Sequence, residues 1–227
     1  MEGLKNAWKI LAVVLLVYTI VAGFLAPVPN LAILRETIRN LFFHVSMWFS
    51  MMTLQTISLY HSVRYLGKSD EKNDWVAAES VHVSILFGTL GLITGSIWAR
   101  YTWGAWWTND PQLNGAAITM LSYLAYVLLR KSIDDDQKRA RISAVYNIFA
   151  YVMMVVFIGI IPRLTSVDSL HPGKGGNPGF NIYDLKSNSL RMIFYPAVLG
   201  WILLSTWIMT LRIRMKKIEQ TLNRYEK

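Results

Sequence analysis

The chain carries four histidines, His44, His61, His82 and His171, and no cysteine. Thiolate metal sites and disulfides are therefore excluded, and imidazole is the versatile ligand that remains. Between His44 and His171 lies WGAWWTND, Trp103 to Asp110, which holds three tryptophans, a glycine and a carboxylate. Two imidazoles from distant parts of a chain suit the two axial positions of a haem iron. Indole adds a broad apolar face for a porphyrin and an N–H that donates to carboxylates. The same tryptophans suit the interfacial belt of a membrane protein, so residue type leaves both readings open. Arg100, Arg163 and Arg191 are equally divided, since each suits pairing with a propionate or snorkelling to headgroups.

The elements that would position these residues follow from the distribution of charge. Lys, Arg, Asp and Glu are absent from Ile10 to Leu34, Asn40 to Val63, Ser80 to Ala99, Pro111 to Leu129, Ile142 to Pro162 and Met192 to Leu211. Each run matches the length of about 20 apolar residues that a helix needs to cross a hydrocarbon core. The composition, 53% hydrophobic with a mean hydropathy of +0.32, agrees with a bilayer as solvent. The pattern predicts an all-α integral membrane protein with six transmembrane helices in one domain, 1–227. The spans fall near 8–27, 40–63, 77–100, 111–130, 142–162 and 191–212, with the tryptophan segment at 101–110 and a long loop at 163–189. A cleaved leader competes for the first run, but the apolar stretch to Pro27 is longer than an ordinary signal core.

Placing both termini in the cytoplasm puts 16 of the 23 Lys and Arg on the inner side. That is the bias that orients membrane proteins, so a net charge of +9 calls for a lipid bilayer and no nucleic acid. The same topology sorts the histidines. His61 follows His44 by 17 residues, about 25 Å of helix, which puts it near the inner surface with His82. Both read as interfacial or packing residues. His44 and His171 share the outer side with the tryptophans. Asp110 followed by Pro111 reads as an N-cap and first helical residue. The glycines of HPGKGGNPG do not follow a strand, which gives nucleotide binding little support. The absence of an internal repeat weighs against an inverted-repeat transporter.

The stretch GLITGSIWARYTWGAWWTNDPQLNGAAITMLSYLAYVLL, with RNLFFHVSMW around His44 and SLHPG around His171, resembles the WWD-domain haem-handling proteins of cytochrome c maturation. Within that CcmC, CcmF and CcsA family it is most similar to the CcmC members. The resemblance implies that His44 and His171 are axial ligands to haem iron and that Trp103, Gly104, Trp106, Trp107 and Asp110 form a haem platform on the periplasmic face of the bacterial cytoplasmic (inner) membrane. It implies a b-type haem, bound transiently and non-covalently, and a delivery factor in place of an enzyme. The implied partners are a CcmE-like haem chaperone, a CcmD-like small membrane protein and a CcmA/CcmB-like transporter. One departure stands out, because the family pattern is close to WGxWWxWD and Asn109 replaces its last tryptophan. Outside the resemblance, a bis-histidine cytochrome b-like redox subunit and a permease for haem or another small molecule are the competing classes.

Overall fold

The computed structural model describes residues 2–29, 34–164, 171 and 188–225. Most of the predicted loop 163–189 lies outside the described residues, with His171 the one described position in its middle. Every regular element among the described residues is helical. Six long helices carry the fold: α1 Glu2–Leu25, α2 Ser46–Lys68, α3 Glu71–Trp103, α4 Pro111–Lys131, α5 Asp136–Met154 and α6 Asn188–Tyr225. A 3₁₀ turn, Arg35–Asn40, and a π-helical turn, Leu41–Val45, lead into α2. A second π-helical turn, Val155–Ile160, and a 3₁₀ turn, Ile161–Arg163, extend α5.

The helix boundaries have local causes. Asp70, Asp110 and Asp135 each cap the helix that follows, accepting from backbone N–H groups that would otherwise lack partners. Proline opens α4 directly after its cap, at a position where a missing N–H costs nothing. Gly104 ends α3 at φ 81°, in the left-handed region where a side chain would be strained. Helix α6 runs through Pro196 without a break in its assignment.

Among the described residues, five segments are long and apolar enough to cross a membrane: Asn6–Leu25, Glu71–Trp103, Pro111–Lys131, Asp136–Arg163 and Asn188–Leu222. Large hydrophobics such as Ile10, Leu121, Leu128, Val152 and Met192 stand exposed along them, as lipid-facing residues would. Helix α2 has 23 residues, about 35 Å at helical rise, but it buries Ser46, Ser50, Gln55, Ser58 and Ser62. Its position explains the difference. It packs against α3, α5 and α6 and is the central helix of the bundle, so its polar side chains face protein.

Helices α2 and α3 form an antiparallel pair, in which Ser58 donates to the Ala77 carbonyl and His44 meets Gly91. The main core joins Met47, Met51 and Leu54 to Val81, Phe87 and Tyr123, with Met154 from α5 and Met209 from α6. A second core, around Phe42, Val45, Ile193 and Phe194, closes the His44 end. At the opposite end Arg130 pairs with Asp74 in a bidentate contact and Arg212 pairs with Glu79. His61 lies there too, with Nδ1 2.8 Å from Asn73 Oδ1, while His82 sits 3.6 Å from Glu79. Both are held in helix-packing contacts well removed from His44.

Candidate functional site

His44 stands in the π-helical turn before α2. A single π turn widens the helix by one residue and re-aims the side chains it carries, and such turns concentrate at functional sites. Here it lays the imidazole on the surface of α3. Nδ1 is 3.0 Å from the Gly91 carbonyl oxygen and 3.3 Å from Thr94 Oγ1. A carbonyl can only accept, and the Thr94 hydroxyl already donates to the Leu90 carbonyl at 2.7 Å. These partners assign the proton to Nδ1 and leave the lone pair on Nε2. Trp48 and Trp98 wall the ring edge-to-face, with centroids 6.4 and 5.7 Å away.

Two glycines, four apart on one face of α3, make this seat possible. A Cβ on Gly95 would stand 2.5 Å from His44 Cε1 and 3.0 Å from Nδ1. A Cβ on Gly91 would stand 2.9 Å from Trp48 Cε2. The frame is then locked by polar contacts, since Asn40 donates to the Thr94 carbonyl at 2.9 Å and the Trp98 indole donates to Thr37 at 3.1 Å.

His171 has a different seat with the same outcome. Its Nδ1 is 3.1 Å from Asp110 Oδ1, and the Asp110 side chain is only 2% exposed. That carboxylate also accepts from the N–H groups of Gln112 and Leu113, so the cap of α4 and the support for His171 are one group. An ionised carboxylate has no proton to give, which again assigns the proton to Nδ1. A carboxylate or carbonyl behind an imidazole is the usual arrangement that fixes the tautomer of a metal-ligating histidine. Trp103, on the last turn of α3, meets the His171 ring edge-to-face at 5.3 Å. Both seats lie toward the same end of α3, at Gly91 and at Trp103.

The strap from Gly104 to Asp110 folds back over α3. Ser96 donates to the Trp106 carbonyl at 2.8 Å, and Arg100 reaches the Gly104 carbonyl. Asn114 on α4 holds the other half, accepting from the Trp107 indole at 3.3 Å and donating to Asn109 Oδ1 at 2.8 Å. Trp106 and Trp107 remain 58% and 43% exposed. With Leu92, Ile93, Ser96 and Ile97 they line an open groove. At 100° per residue, Ile93 and Ser96 point away from the face that carries Gly91 and Gly95.

The structure thus brings Trp103, Asp110 and His171 into direct contact and sets His44 nearby, whereas Trp106 and Trp107 cover another side of α3. Gly104 supplies the turn. Arg163 donates to the Ile158 and Gly159 carbonyls and Arg191 to Asn188, so both close local polar groups. Sequence reasoning missed Gly91, Gly95, Trp48, Thr94 and Trp98. The glycine pair in GLITG was the available signal, because four-residue spacing of small residues marks close approach on a helix face.

A family model for CcmC, described as heme exporter protein C, matches residues 2–226. Among curated proteins, a stretch of 121 residues is 30% identical to the heme exporter protein C of Bradyrhizobium diazoefficiens, covering 53% of this chain and 46% of that protein. A stretch of 90 residues is 38% identical to the cytochrome c biogenesis protein CcsA of Prochlorococcus marinus, covering 40% of this chain and 28% of that protein. The aligned region therefore spans between about a quarter and a half of the length of these relatives.

Proposed function

As the chain belongs to the CcmC family, heme exporter protein C, we propose that it handles haem for cytochrome c maturation, holding it non-covalently at the outer face of the bacterial inner membrane for transfer to a CcmE-like chaperone. Haem is the cargo here, and its iron offers two axial positions to imidazole. The observation that carries the reading is the matched state of His44 and His171. Each has Nδ1 committed to an acceptor, Gly91 carbonyl or Asp110 carboxylate, which is the support that fixes the tautomer of a metal-ligating imidazole. Histidines kept for packing have no need of that arrangement twice at one end of a bundle.

The donor set fits the group. Trp103 lies beside His171, and Trp106 and Trp107 present exposed indoles that suit a porphyrin face or a docking chaperone. Asp110 acts as a positioning residue for His171. In the proposed topology of six spans with both termini in the cytoplasm, this end of the bundle faces the periplasm, and α2 is counted as a span because its polar groups are buried inside the bundle. A CcmD-like small membrane protein and a CcmA/CcmB-like transporter complete the proposed assembly. The chemistry assigned to this chain is binding and presentation, and covalent attachment falls to the chaperone.

The test is the absorption spectrum of protein purified with haem, compared with His44→Ala and His171→Ala. A low-spin bis-imidazole spectrum in the native chain and its loss in both variants is the expected result. Native-like spectra in both variants would refute the ligand assignment.

A further inference from the structure

The polar side chains of α2 are unusual in kind and in how they are satisfied. Ser46, Ser50, Ser58 and Ser62 recur at steps of four or eight along one stripe, with Gln55 beside it, and all five are at most 1% exposed. The stripe runs 16 residues, about 24 Å of helix, from the turn after His44 to the level of His61. Ser84 on α3 and Asn147 on α5 bond to it, and Tyr123 on α4 and Ser143 on α5 are equally buried.

Part of this seam is internally bonded. Asn147 donates to Ser58 at 2.7 Å and to Ser62 at 2.8 Å, and Gln55 donates to Ser84. The acceptors are left over. Gln55 Oε1, Asn147 Oδ1, the Tyr123 hydroxyl and the Oγ atoms of Ser46, Ser50 and Ser143 have no partner among the described residues. A helical serine can turn to the carbonyl one turn back, but an amide oxygen already committed through its NH₂ group, and a phenol at the core, have no such escape. In a bilayer none of these groups can be reached by bulk water. Orphaned amide oxygens need a donor.

We propose that this seam is a binding site for water, holding ordered molecules between α2, α4 and α5 that donate to Gln55 and Asn147 and accept from Tyr123. Buried water typically makes about three such bonds to groups of this kind. The site makes α2 a polar spine hydrated from within, which is why the central helix has the least apolar composition of a span and still belongs in the bundle.

Radiolytic hydroxyl labelling in ¹⁸O water, with the full chain in lipid nanodiscs, tests this directly, because radicals form from the bound water itself. Tyr123 and Met51, both 0% exposed, should take up ¹⁸O at least about fivefold faster than Phe42 and Phe194, which are as buried but lie in the core at the other end. Asn147→Leu should cut labelling at Tyr123 at least about threefold. Ser50→Ala should lower it at Met51, and it decides the matter if Asn147→Leu does not fold. Labelling of Tyr123 no faster than Phe42 overturns the site. Labelling that both variants leave unchanged also overturns it, since the oxygen would then come from bulk solvent reaching a breathing core.

Discussion

Replacing Gly95 with alanine adds one methyl group at the contact on which the His44 seat depends. The new Cβ would stand 2.5 Å from Cε1 and 3.0 Å from Nδ1 of the imidazole. Carbon atoms prefer a separation of about 3.5–4.0 Å, so the ring must withdraw by about 1 Å or more. The Nδ1 contact to the Gly91 carbonyl, now 3.0 Å, would then stretch beyond hydrogen-bonding range. Overpacking of this kind costs about 1–3 kcal/mol, and the lost bond accounts for about 0.5–1.5 kcal/mol of it. For the ligand the effect is larger in consequence, because losing the group behind a metal-binding imidazole lowers affinity by about 10–100-fold. The assay is haem titration of the purified protein followed by absorption, with Gly67→Ala as control. A Cβ at Gly67 meets nothing within 4 Å, and alanine should there be neutral or slightly stabilising. We expect Gly95→Ala to bind haem at least about tenfold more weakly and to lose low-spin character while Gly67→Ala behaves as the native chain. A folded Gly95→Ala protein that binds within twofold of native, with an unchanged spectrum, would show that His44 does not act from this seat.

Asp110→Asn separates the two duties of that carboxylate. Asparagine caps helices about as well as aspartate, so thermal stability should change by less than about 0.5 kcal/mol, whereas the loss of the anion behind His171 should weaken haem binding by about tenfold; equal affinity would reduce Asp110 to a cap. The absence of cysteine makes sidedness accessible to single replacements. Asn109→Cys should react with an impermeant maleimide from the periplasmic side of intact cells, and Ser69→Cys only after lysis; the reverse pattern would invert the proposed topology.

The fold was legible wherever solvent alone decided it. Charge-free runs mark where lipid must be faced, and Asp110-Pro111 marks a helix start by the same donor and acceptor logic in any solvent. Trp103 was readable as part of the tryptophan segment, but its place on the last turn of α3 was not, because Gly104 ends the helix later than the charge of Arg100 suggests. Helix α2 shows the limit of hydropathy. Its serines lower the average that identifies a span, and only its central packing reveals that they face protein.

The candidate ligands of the proposed site were legible in the sequence and the groups that support them were not, for a physical reason. A ligand announces itself by residue type, since few side chains bind iron, whereas a support is defined by which helix face meets which. Gly95 supports His44 by having nothing where a methyl group would be, and that becomes visible only when α3 is docked on the π turn. The same docking divides the tryptophans. Consecutive letters in WGAWWTND suggest one aromatic surface, yet Trp103 turns to His171 while Trp106 and Trp107 turn to the open groove. Under the proposed function, a segment that touches His171 with one indole and leaves two others exposed suits two partners at once. That is what holding a cargo and presenting it to a carrier requires, and it gives Asn109 a place in the scheme. Bonded to Asn114 at 2.8 Å, it braces the exposed half of the strap from α4, where a third bulky ring would have had to be packed.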